Sequence, residues 1–384
     1  MRSLFPHIVR DLEKKFVLLA GPRQVGKTTL AEEILKKQQG LYLNWDSAKD
    51  RKSILTESFL QESFVVFDEL HKYQRWKSFL KGVYDKHHKT LKALVTGSAR
   101  LDIYKKGGDS LFGRYFLYHL HPFSLGELFS KNEITRPDLK KIWEEKSEHW
   151  GQYYELFRWG GFPEPLFEAS EEAHNRWSLQ RVELLVREDL RDLTQIQHLT
   201  LVEHLVHLLP ERAGSILSIN SLKEDLQVAY NTVKSWIDTL EKLYILFQIS
   251  PYTKKIHRSI QKGKKLYLWD WSQIQDEGSR FENMVASHLW KAVQIWKDLG
   301  FGNYQLFFLR DRYQREVDFC ITKDQKPILI LEAKLADTQV SEELYYYTQR
   351  FNVPGIQLVH KENVYKQRGL VTVTSAVPWL LNLP

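Results

Sequence analysis

Gly21, Gly26, Lys27 and Thr28 occupy the fixed positions of the phosphate-loop pattern G-x-x-x-x-G-K-[ST]. In such a loop, backbone N–H groups and the positive end of the following helix hold a triphosphate. Lys27 is expected to reach the β- and γ-phosphates, and the Thr28 hydroxyl is expected to hold Mg²⁺. A chance glycine-rich turn is the alternative. The residues expected to contact the nucleotide here are Gly21, Pro22, Arg23, Gln24, Val25, Gly26, Lys27, Thr28 and Thr29.

An acidic pair, Asp68-Glu69, follows the apolar run Phe64–Phe67. Asp68 is expected to bind Mg²⁺ through water, and Glu69 to orient and polarise the attacking water, as in ATPase sites. Acidic pairs after apolar runs are common. The prediction therefore depends on the phosphate loop that precedes the pair.

Two further positions could contact the γ-phosphate. Thr96 and Ser98 stand at the tip of the apolar run Leu91–Val95, and either is a candidate nucleotide sensor, although Ser98 could instead cap a helix. Arg114 precedes a predicted strand, where it could act as an arginine finger on a neighbouring subunit's nucleotide. Arg100 is the competing choice, and a surface arginine is the alternative for both.

These residues require a sheet whose strand ends meet at one edge. Strand-like apolar runs alternate with helical patterns, which predicts an α/β fold with a parallel sheet flanked by helices, and the phosphate loop indicates the P-loop NTPase type. The predicted strands are Phe16–Ala20, Leu41–Asp46, Phe64–Phe67, Leu91–Val95 and Tyr115–Leu120, and the predicted helices are Thr28–Lys37 and Leu70–His88.

A second set of charged residues lies near the C-terminus. Asp318 is followed after thirteen residues by Glu332-Ala333-Lys334, and Glu282 lies upstream. Asp318, Glu332 and Glu282 could supply hard oxygen ligands for Mg²⁺ or Mn²⁺, which would polarise a scissile phosphate and lower the pKa of a bound water. Lys334 would orient that water and offset developing negative charge.

The elements around these acids match the PD-(D/E)XK nuclease arrangement. A helix carries Glu282, one strand carries Asp318 on the same face as Glu316, and a third element carries Glu332 and Lys334. The spacing alone is weakly specific, and the alternative is a scaffold whose acids form surface or buried ion pairs. Cys320 is expected to face the core. The predicted elements are the helix Arg280–Val293 and the strands Tyr304–Leu309, Arg315–Ile321 and Pro327–Leu331.

The segment before these elements predicts a winged helix. A short helix at Leu222–Gln227, capped by Asn220 or Ser221, precedes a longer helix at Asn231–Tyr244. Two strands, Leu246–Ile249 and Leu266–Trp269, would form the wing. Its basic residues could lie along a DNA backbone, or could only keep a hairpin solvated. They are Lys254, Lys255, Arg258, Lys262, Lys264 and Lys265.

The stretch from about residue 125 to 209 is charged, periodic and rich in helix formers, which predicts a helical lid. His198, His204 and His207 lie close together in it, but no cysteine or third well-placed ligand accompanies them. We interpret them as ordinary histidines. The predicted domains are an ATPase core at 1–125, the lid at 126–212, the winged helix at 213–272 and a nuclease-like domain at 273–384.

Composition limits the setting. The chain has 384 residues, 43% of them hydrophobic, so it can build a sizeable core, and its net charge of +7 favours polyanionic partners. The single Cys320 allows no internal disulfide. The first ten residues lack the apolar core of a signal peptide, and no apolar run is long enough to span a membrane. A cytoplasmic protein is expected.

By these residues the chain resembles one family of prokaryotic AAA-type ATPases, whose members carry a C-terminal domain long catalogued as of unknown function. The resemblance covers essentially the whole chain. It rests on the phosphate loop, Phe64–Glu69, Val95–Ser98 and Leu111–Arg114, and also on His121–Leu128 and Gly160–Glu164. It implies ATP and Mg²⁺ as cofactors, and it supports the nuclease-like fold.

Three functions follow as hypotheses. The first is an ATP-driven machine that remodels or translocates on DNA, assembled as a homo-oligomeric ring such as a hexamer. A Holliday junction is a candidate substrate because nucleases of similar fold resolve junctions. The second is a signalling or defence switch in which nucleotide state controls a nuclease effector. The third is a DNA-bound scaffold with an active ATPase and an inactive nuclease fold.

Overall fold

The computed structural model describes residues 2–97, 111–129, 134–139, 141–142, 147–190, 199–253 and 263–384. The chain forms two compact units. The first comprises Met1–His121 with Lys131–Thr135, and the second comprises Pro122–Ser130 with Arg136–Pro384. The segments expected to form the winged helix and the nuclease-like domain both lie within the second unit. No helix in the described ranges is both long and apolar enough to cross a membrane.

The first unit contains a five-stranded sheet in which every described pairing is parallel, as the alternating pattern predicts. The strand order is β2-β3-β4-β1-β5. The strands are β1 Phe16–Ala20, β2 Leu41–Asn44, β3 Phe64–Asp68, β4 Lys92–Thr96 and β5 Tyr115–His119. The helices are α1 Phe5–Asp11, α2 Lys27–Gln38, α3 Ala48–Leu55 and α4 Trp76–His87.

Every residue of β1 and β3 is buried, because helices cover both faces of a parallel sheet. On one face, Leu18 and Phe67 pack in a cluster with Trp76 and Leu80 of α4. These two strands lie on either side of the central strand β4, and they carry the phosphate loop and the acidic pair at their carboxyl ends. The core therefore fixes the position of both.

The predicted first residue of one helix in this unit is wrong. The pattern indicates a helix from Leu70 to His88, but a 3₁₀ turn spans Leu70–Lys72 and α4 begins only at Trp76. Glu69 has a left-handed backbone (φ 56°), which turns the chain sharply after β3. Tyr73 then adopts an extended conformation, which interrupts helical propagation.

The second unit begins with helices, as expected for the lid segment. They are α5 Leu125–Phe129, α6 Ser147–Trp159, α7 Pro163–Glu168, α8 Glu171–Leu184 and α9 Leu199–Leu208, with a π-helical stretch at Leu185–Leu190.

A helix, a turn and a second helix follow, α10 Ile219–Leu226 and α11 Tyr230–Lys242. Ser218 caps α10 by accepting from the Ser221 N–H, so the expectation that Asn220 or Ser221 is the cap is wrong. The face of α11 that carries Val233, Trp236 and Leu240 is buried, as its periodicity predicts.

Two strands complete this segment, β6 Leu246–Pro251 and β7 Lys265–Leu268, which pair antiparallel. The end of β6 also pairs in parallel with the next strand of the chain, at Ser250 and Pro251. The hairpin expected to form a wing is therefore continuous with the C-terminal sheet.

That sheet has eight strands in the order β12-β13-β11-β10-β9-β8-β6-β7. Helix α12, Glu277–Asp298, packs against several of its strands. The remaining strands are β8 Tyr304–Arg310, β9 Glu316–Lys323, β10 Lys326–Lys334, β11 Gly355–Val359, β12 Tyr365–Arg368 and β13 Val371–Ser375. The remaining helices are α13 Glu342–Phe351 and α14 Ala376–Leu380.

Candidate functional site

The phosphate loop lies between the end of β1 and the start of α2. A Cβ atom on Gly21 would lie 2.2 Å from the carbonyl oxygen of Leu120, so only glycine fits there. Gly26 caps α2 with φ of 93°, and it offers no side-chain acceptor to the N–H groups of the first helical turn. The loop therefore has the shape and the exposed helix end that bind an anion.

The Lys27 side chain folds back onto this loop. Its ammonium donates to the carbonyl oxygens of Gly21 at 3.0 Å and Pro22 at 2.6 Å, and the residue is 8% exposed. This places a fixed positive charge beside the loop. Thr28 and Thr29 follow on the exposed side of the same helical turn.

Asp68, at the end of β3, is the centre of a hydrogen-bond network. Its Oδ2 atom accepts from the Thr28 hydroxyl at 3.1 Å and from the Tyr42 hydroxyl at 2.5 Å. Its Oδ1 atom accepts from the Thr96 hydroxyl and from the Glu69 N–H at 3.1 Å. The structure thus brings the predicted Mg²⁺ ligands Thr28 and Asp68 together. It also places the candidate sensor Thr96 in contact with Asp68.

Tyr42 is a residue that sequence reasoning missed. It lies on β2, next to β3, where Asn44 pairs with Asp68. Burial and the bond to the Asp68 carboxylate raise the pKa of its hydroxyl well above the usual value, so it stays a donor. Strand order brings it to Asp68, and no local pattern signals that order.

Glu69 lies directly beyond Asp68 with φ of 56° and ψ of 19°. A left-handed backbone costs a non-glycine residue roughly 1–2 kcal/mol, and such outliers concentrate at functional sites. The Glu69 carboxylate lies 3.6 Å from the Lys72 ammonium and 3.6 Å from a ring nitrogen of His71. Burial raises its pKa, and Lys72 partly offsets that effect.

Of the two sensor candidates, Thr96 is fully buried at the end of β4 and donates to Asp68. Ser98 lies outside the described residues, as does the competing arginine Arg100. The geometry therefore links Thr96 to the acidic pair.

Arg114 lies just before β5 and forms a two-pronged ion pair with Asp85 of α4, with N–O distances of 2.6 and 3.1 Å. β5 is parallel to β1, with Tyr115 opposite Phe16 and His119 opposite Ala20. Arg114 is therefore at the opposite edge of the sheet from the phosphate loop of its own chain.

The donor set fits a magnesium–triphosphate group. Mg²⁺ prefers oxygen ligands and is held by one or two side chains plus phosphate oxygens. Thr28 and Asp68 supply such oxygens 3.1 Å apart, beside a loop in which a Cβ at Gly21 would collide with the backbone. We infer that these two residues would hold the ion.

The four predicted nuclease residues also lie in one neighbourhood. Asp318 on β9 accepts through Oδ2 from the Ala333 N–H of β10 at 3.1 Å. Lys334 and Glu332 pair at 2.6 Å, and the second oxygen of Glu332 is buried with no hydrogen-bond partner in the described part of the chain. Burial raises the pKa of Glu282 on α12 to about 7, and the nearby charge of Asp318 adds to this shift.

Lys265 lies in the middle of these acids, and this corrects its assignment to an exposed basic wing. Its side chain is 3% exposed, and its ammonium lies 3.3 Å from Glu282, 2.9 Å from Glu316 and 3.3 Å from Asp318. Burial opposes its charge, but the carboxylates of Asp318 and Glu282 outweigh burial and raise the pKa of Lys265. The Tyr267 hydroxyl donates to Glu282 at 2.8 Å.

In this arrangement the predicted ligands Glu282, Asp318 and Glu332 therefore do not fit a Mg²⁺ or Mn²⁺ ion. The Lys265 ammonium lies between Glu282 and Asp318, so a divalent ion at that position would have to displace it. Within the described ranges, no three or more His, Cys, Asp or Glu residues are grouped so as to hold a metal. His204 and His207 lie on α9, and His198 lies outside those ranges, so their interpretation as ordinary histidines stays a prediction.

The remaining wing residues are only partly described. Lys264 is half-buried at the start of the hairpin's second strand. Outside the described residues lie Lys254, Lys255, Arg258 and Lys262. A DNA contact by these five lysine and arginine residues stays a prediction.

Three family models match separate parts of the chain. The model described as an AAA domain covers residues 13–129. Two models described as domains of unknown function, DUF8612 and DUF4143, cover residues 151–274 and 277–379. Residues 13–129, which carry the phosphate loop and the Asp68–Glu69 pair, are thus similar to AAA domains.

The chain is also similar to curated proteins that are themselves uncharacterized. One from Methanocaldococcus jannaschii is 27% identical over 334 residues, which cover 73% of this chain and 69% of that protein. One from Mycobacterium tuberculosis is 23% identical over 258 residues, which cover 66% of this chain and 54% of that protein. The chain thus spans about half the length of the mycobacterial relative.

Two solved structures show weaker similarity. The ORC1 protein of Aeropyrum pernix in complex with DNA has a TM-score of 0.33 at 13% identity, over 74% of this chain and 93% of that chain. A signal transduction ATPase with a tetratricopeptide repeat sensor, from Pyrococcus horikoshii, has a TM-score of 0.29 at 15% identity, over 76% of this chain and 47% of that chain.

Proposed function

We propose that the first unit binds ATP with Mg²⁺ and hydrolyses it at the edge of the sheet where β1 and β3 end. The observation that carries the proposal is the Thr28 hydroxyl, which lies 3.1 Å from Asp68 while Glu69 follows directly. A phosphate loop and an acidic strand end meet in this way in P-loop NTPases.

Each side chain has a distinct task in this proposal. Lys27 would leave its bonds to the loop carbonyls and contact the β- and γ-phosphates. The loop glycines let the backbone approach the phosphates. The hydrogen bond from Thr96 holds the Asp68 carboxylate beside the Thr28 hydroxyl. Mg²⁺, when bound, neutralises phosphate charge as a Lewis acid. Glu69 orients the attacking water and accepts its proton, which requires the ionised carboxylate.

Substitution of the loop lysine and of the acid separates binding from turnover. Lys27→Ala should weaken the binding of a fluorescent ATP analogue, because the positive charge at the loop is lost. Glu69→Gln should bind the analogue with wild-type affinity but hydrolyse ATP at least about 10²-fold more slowly, because general base catalysis is lost. Phosphate release assays measure the rate.

Glu57→Gln is the matched control, since Glu57 is an exposed glutamate of the same unit that also has a left-handed backbone. It should leave binding and turnover unchanged. Normal hydrolysis by Glu69→Gln would overturn the role of Glu69, and unchanged binding by Lys27→Ala would overturn the nucleotide site itself.

A second function, DNA binding, is favoured by a surface of the second unit. We define the arginine–tyrosine patch as Arg312, Tyr313, Arg315, Tyr346 and Arg350. The Arg315 guanidinium lies 3.8 Å from the Tyr346 ring centre, and Arg312 lies 4.7 Å from that of Tyr313. Tyr313 is 63% exposed.

Exposed guanidinium groups contact phosphates, and exposed aromatic rings stack on bases. The net charge of +7 supports a polyanionic partner. We propose DNA as that partner, remodelled by ATP hydrolysis in a homo-oligomeric assembly. Single-stranded, duplex and four-way DNA are the substrates to compare.

A further inference from the structure

We propose that Lys265 is the permanent counter-ion of the Glu282–Glu316–Asp318 cluster. Its ammonium takes the position that a divalent metal takes in nucleases of this arrangement. The cluster then holds α12, β7 and β9 together without metal, and the second unit does not cleave DNA by metal-dependent chemistry. This inference is independent of the proposed ATPase and DNA-binding functions.

The first argument is geometric. One ammonium contacts three carboxylates that come from two different elements, at 3.3, 2.9 and 3.3 Å. These are ion-pair distances, and an ammonium has three N–H donors to match three acceptors. Tyr267, two residues along β7, supplies a further donor to Glu282 at 2.8 Å. A single strand, β7, therefore supplies a cationic partner to all three acids.

The second argument concerns charge. Glu316 also pairs with Arg310 at 3.0 Å, and Glu332 pairs with Lys334 at 2.6 Å. The four carboxylates of the neighbourhood thus face three cationic side chains of the chain itself: Lys265, Arg310 and Lys334. A divalent ion would bring two more positive charges to a site that is already nearly neutral, and would have to displace the ammonium.

The third argument is that Lys265 is anchored. Its backbone pairs with Ile249 of β6 and forms a bridge with Ile216, so the strand holds the residue in register. The side chain is 3% exposed, and its ammonium lies 5.8 Å from the ring centre of Phe308. Moving the ammonium to solvent would leave the partly buried carboxylates of Glu282 and Asp318 without an ion-pair partner among the described residues, which is strongly unfavourable.

Two carboxylate oxygens of this neighbourhood, Oε2 of Glu282 and Oε2 of Glu332, accept no hydrogen bond from the described residues, but they do not provide an alternative metal site. The other Glu332 oxygen bonds Lys334, and neither oxygen of the neighbouring Asp318 is free. Mg²⁺ demands nearly octahedral oxygen coordination. Each of the two oxygens belongs to a carboxylate that already pairs with a lysine ammonium, Lys265 or Lys334, so they do not supply that arrangement.

The test replaces Lys265 with methionine, which keeps the length of the side chain and removes its charge. Lys265→Met should lower the Tm of the second unit by roughly 5–10 °C. It should also gain saturable Mn²⁺ binding, measured by electron paramagnetic resonance on nucleotide-free protein, and Mn²⁺ should restore the Tm. Lys264→Met, at the adjacent half-buried lysine, is the matched control and should change neither property.

Two further measurements keep the proposal testable if Lys265→Met does not fold. The double variant Lys265→Met/Glu282→Gln should fold, because removing one acid restores much of the charge balance. Wild-type protein should show the same Mn²⁺ binding as Asp318→Asn and no cleavage of plasmid DNA with Mn²⁺. The proposal is overturned if the wild type binds Mn²⁺ saturably and Asp318→Asn does not. A folded Lys265→Met protein as stable as the control would also overturn it.

Discussion

Glu69 combines a strained backbone with a carboxylate whose pKa is raised by burial. In the proposed mechanism the ionised form accepts a proton from water, so we expect the ATPase rate to fall as the pH drops through this raised pKa. Burial also makes the ionised carboxylate less favourable in the folded state than in the unfolded chain. Above the pKa that Glu69 has in the folded protein, its ionised carboxylate therefore lowers the free energy of unfolding. This destabilisation is lost in acid, where the carboxyl group is protonated.

The nearest positive charge tunes this pKa. Lys72 lies 3.6 Å from Glu69 and lowers the pKa of its carboxyl, against the effect of burial. Lys72→Met should therefore move the acidic limb of the ATPase pH profile to higher pH. At acidic pH the rate should fall about two- to fivefold below that of the wild type, the range expected for a partly exposed ion pair.

Asp46→Asn provides the control, because Lys72 also pairs with Asp46 at 2.6 Å. That variant breaks the neighbouring pair but keeps the positive charge beside Glu69, so its acidic limb should not move to higher pH. An identical pH profile in Lys72→Met and the wild type would show that Lys72 does not tune the acid. The turnover rate is measured from pH 5 to pH 8 in each case.

The residues of the candidate nucleotide site and of the Lys265 cluster differ in how far the sequence predicts them. Lys27 and Thr28 follow from the spacing of the loop, because motif and chemistry are local. Asp68 follows from its position after an apolar strand. The sequence does not predict the positions of Tyr42 and Lys265, because each reaches its partner only through strand pairing. The wing interpretation placed Lys265 with exposed lysines, whereas the register of β7 buries it among acids.

At the scale of elements, the short apolar strands of the first sheet were predictable because burial on both faces gives continuous apolar runs. The pairing of the β6–β7 hairpin with the C-terminal sheet was not predictable from the sequence. It rests on the pairing of Ser250 with Phe307, residues far apart in sequence. The break before α4 depends on the backbone conformation of one residue, Glu69, which helical periodicity does not reveal.

Strand direction constrains the role of Arg114. The phosphate loop leaves β1 at its carboxyl end, whereas Arg114 precedes the amino end of the neighbouring parallel strand β5. Five residues of strand separate these edges by roughly 13 Å, given about 3.3 Å per residue. A role of Arg114 in hydrolysis therefore requires the nucleotide of another subunit.

We expect Arg114→Ala to lower the ATPase rate by about 10³-fold without weakening ATP binding, since an arginine finger stabilises only the transition state. Mixing this variant with Glu69→Gln should partly restore turnover, because each protein supplies the group that the other lacks. Asp85→Asn, which removes the ion-pair partner but keeps the arginine, is the control and should retain activity. Full activity of Arg114→Ala would assign Arg114 to a surface ion pair, and a lack of restoration would argue against action in trans.

At the scale of the whole molecule, the excess of positive charge has a measurable consequence for DNA binding. Each phosphate that a lysine or arginine neutralises releases counterions, so affinity falls with salt at a slope set by the number of contacts. The arginine–tyrosine patch contributes two exposed arginines, Arg312 and Arg350, that have no acidic partner at ion-pair distance in the described residues. They are the side chains of this patch most available to phosphates.

The double variant Arg312→Gln/Arg350→Gln should therefore bind DNA more weakly and reduce the magnitude of the salt slope by about 2, one unit for each lost contact. Tyr313→Ala should weaken binding to single-stranded DNA without changing the slope, because stacking releases few counterions. Arg51→Gln/Lys52→Gln, at exposed basic residues of the first unit, is the matched control. Fluorescence anisotropy over a range of salt concentrations measures both quantities, and an unchanged slope in the patch variant would show that DNA does not contact this surface.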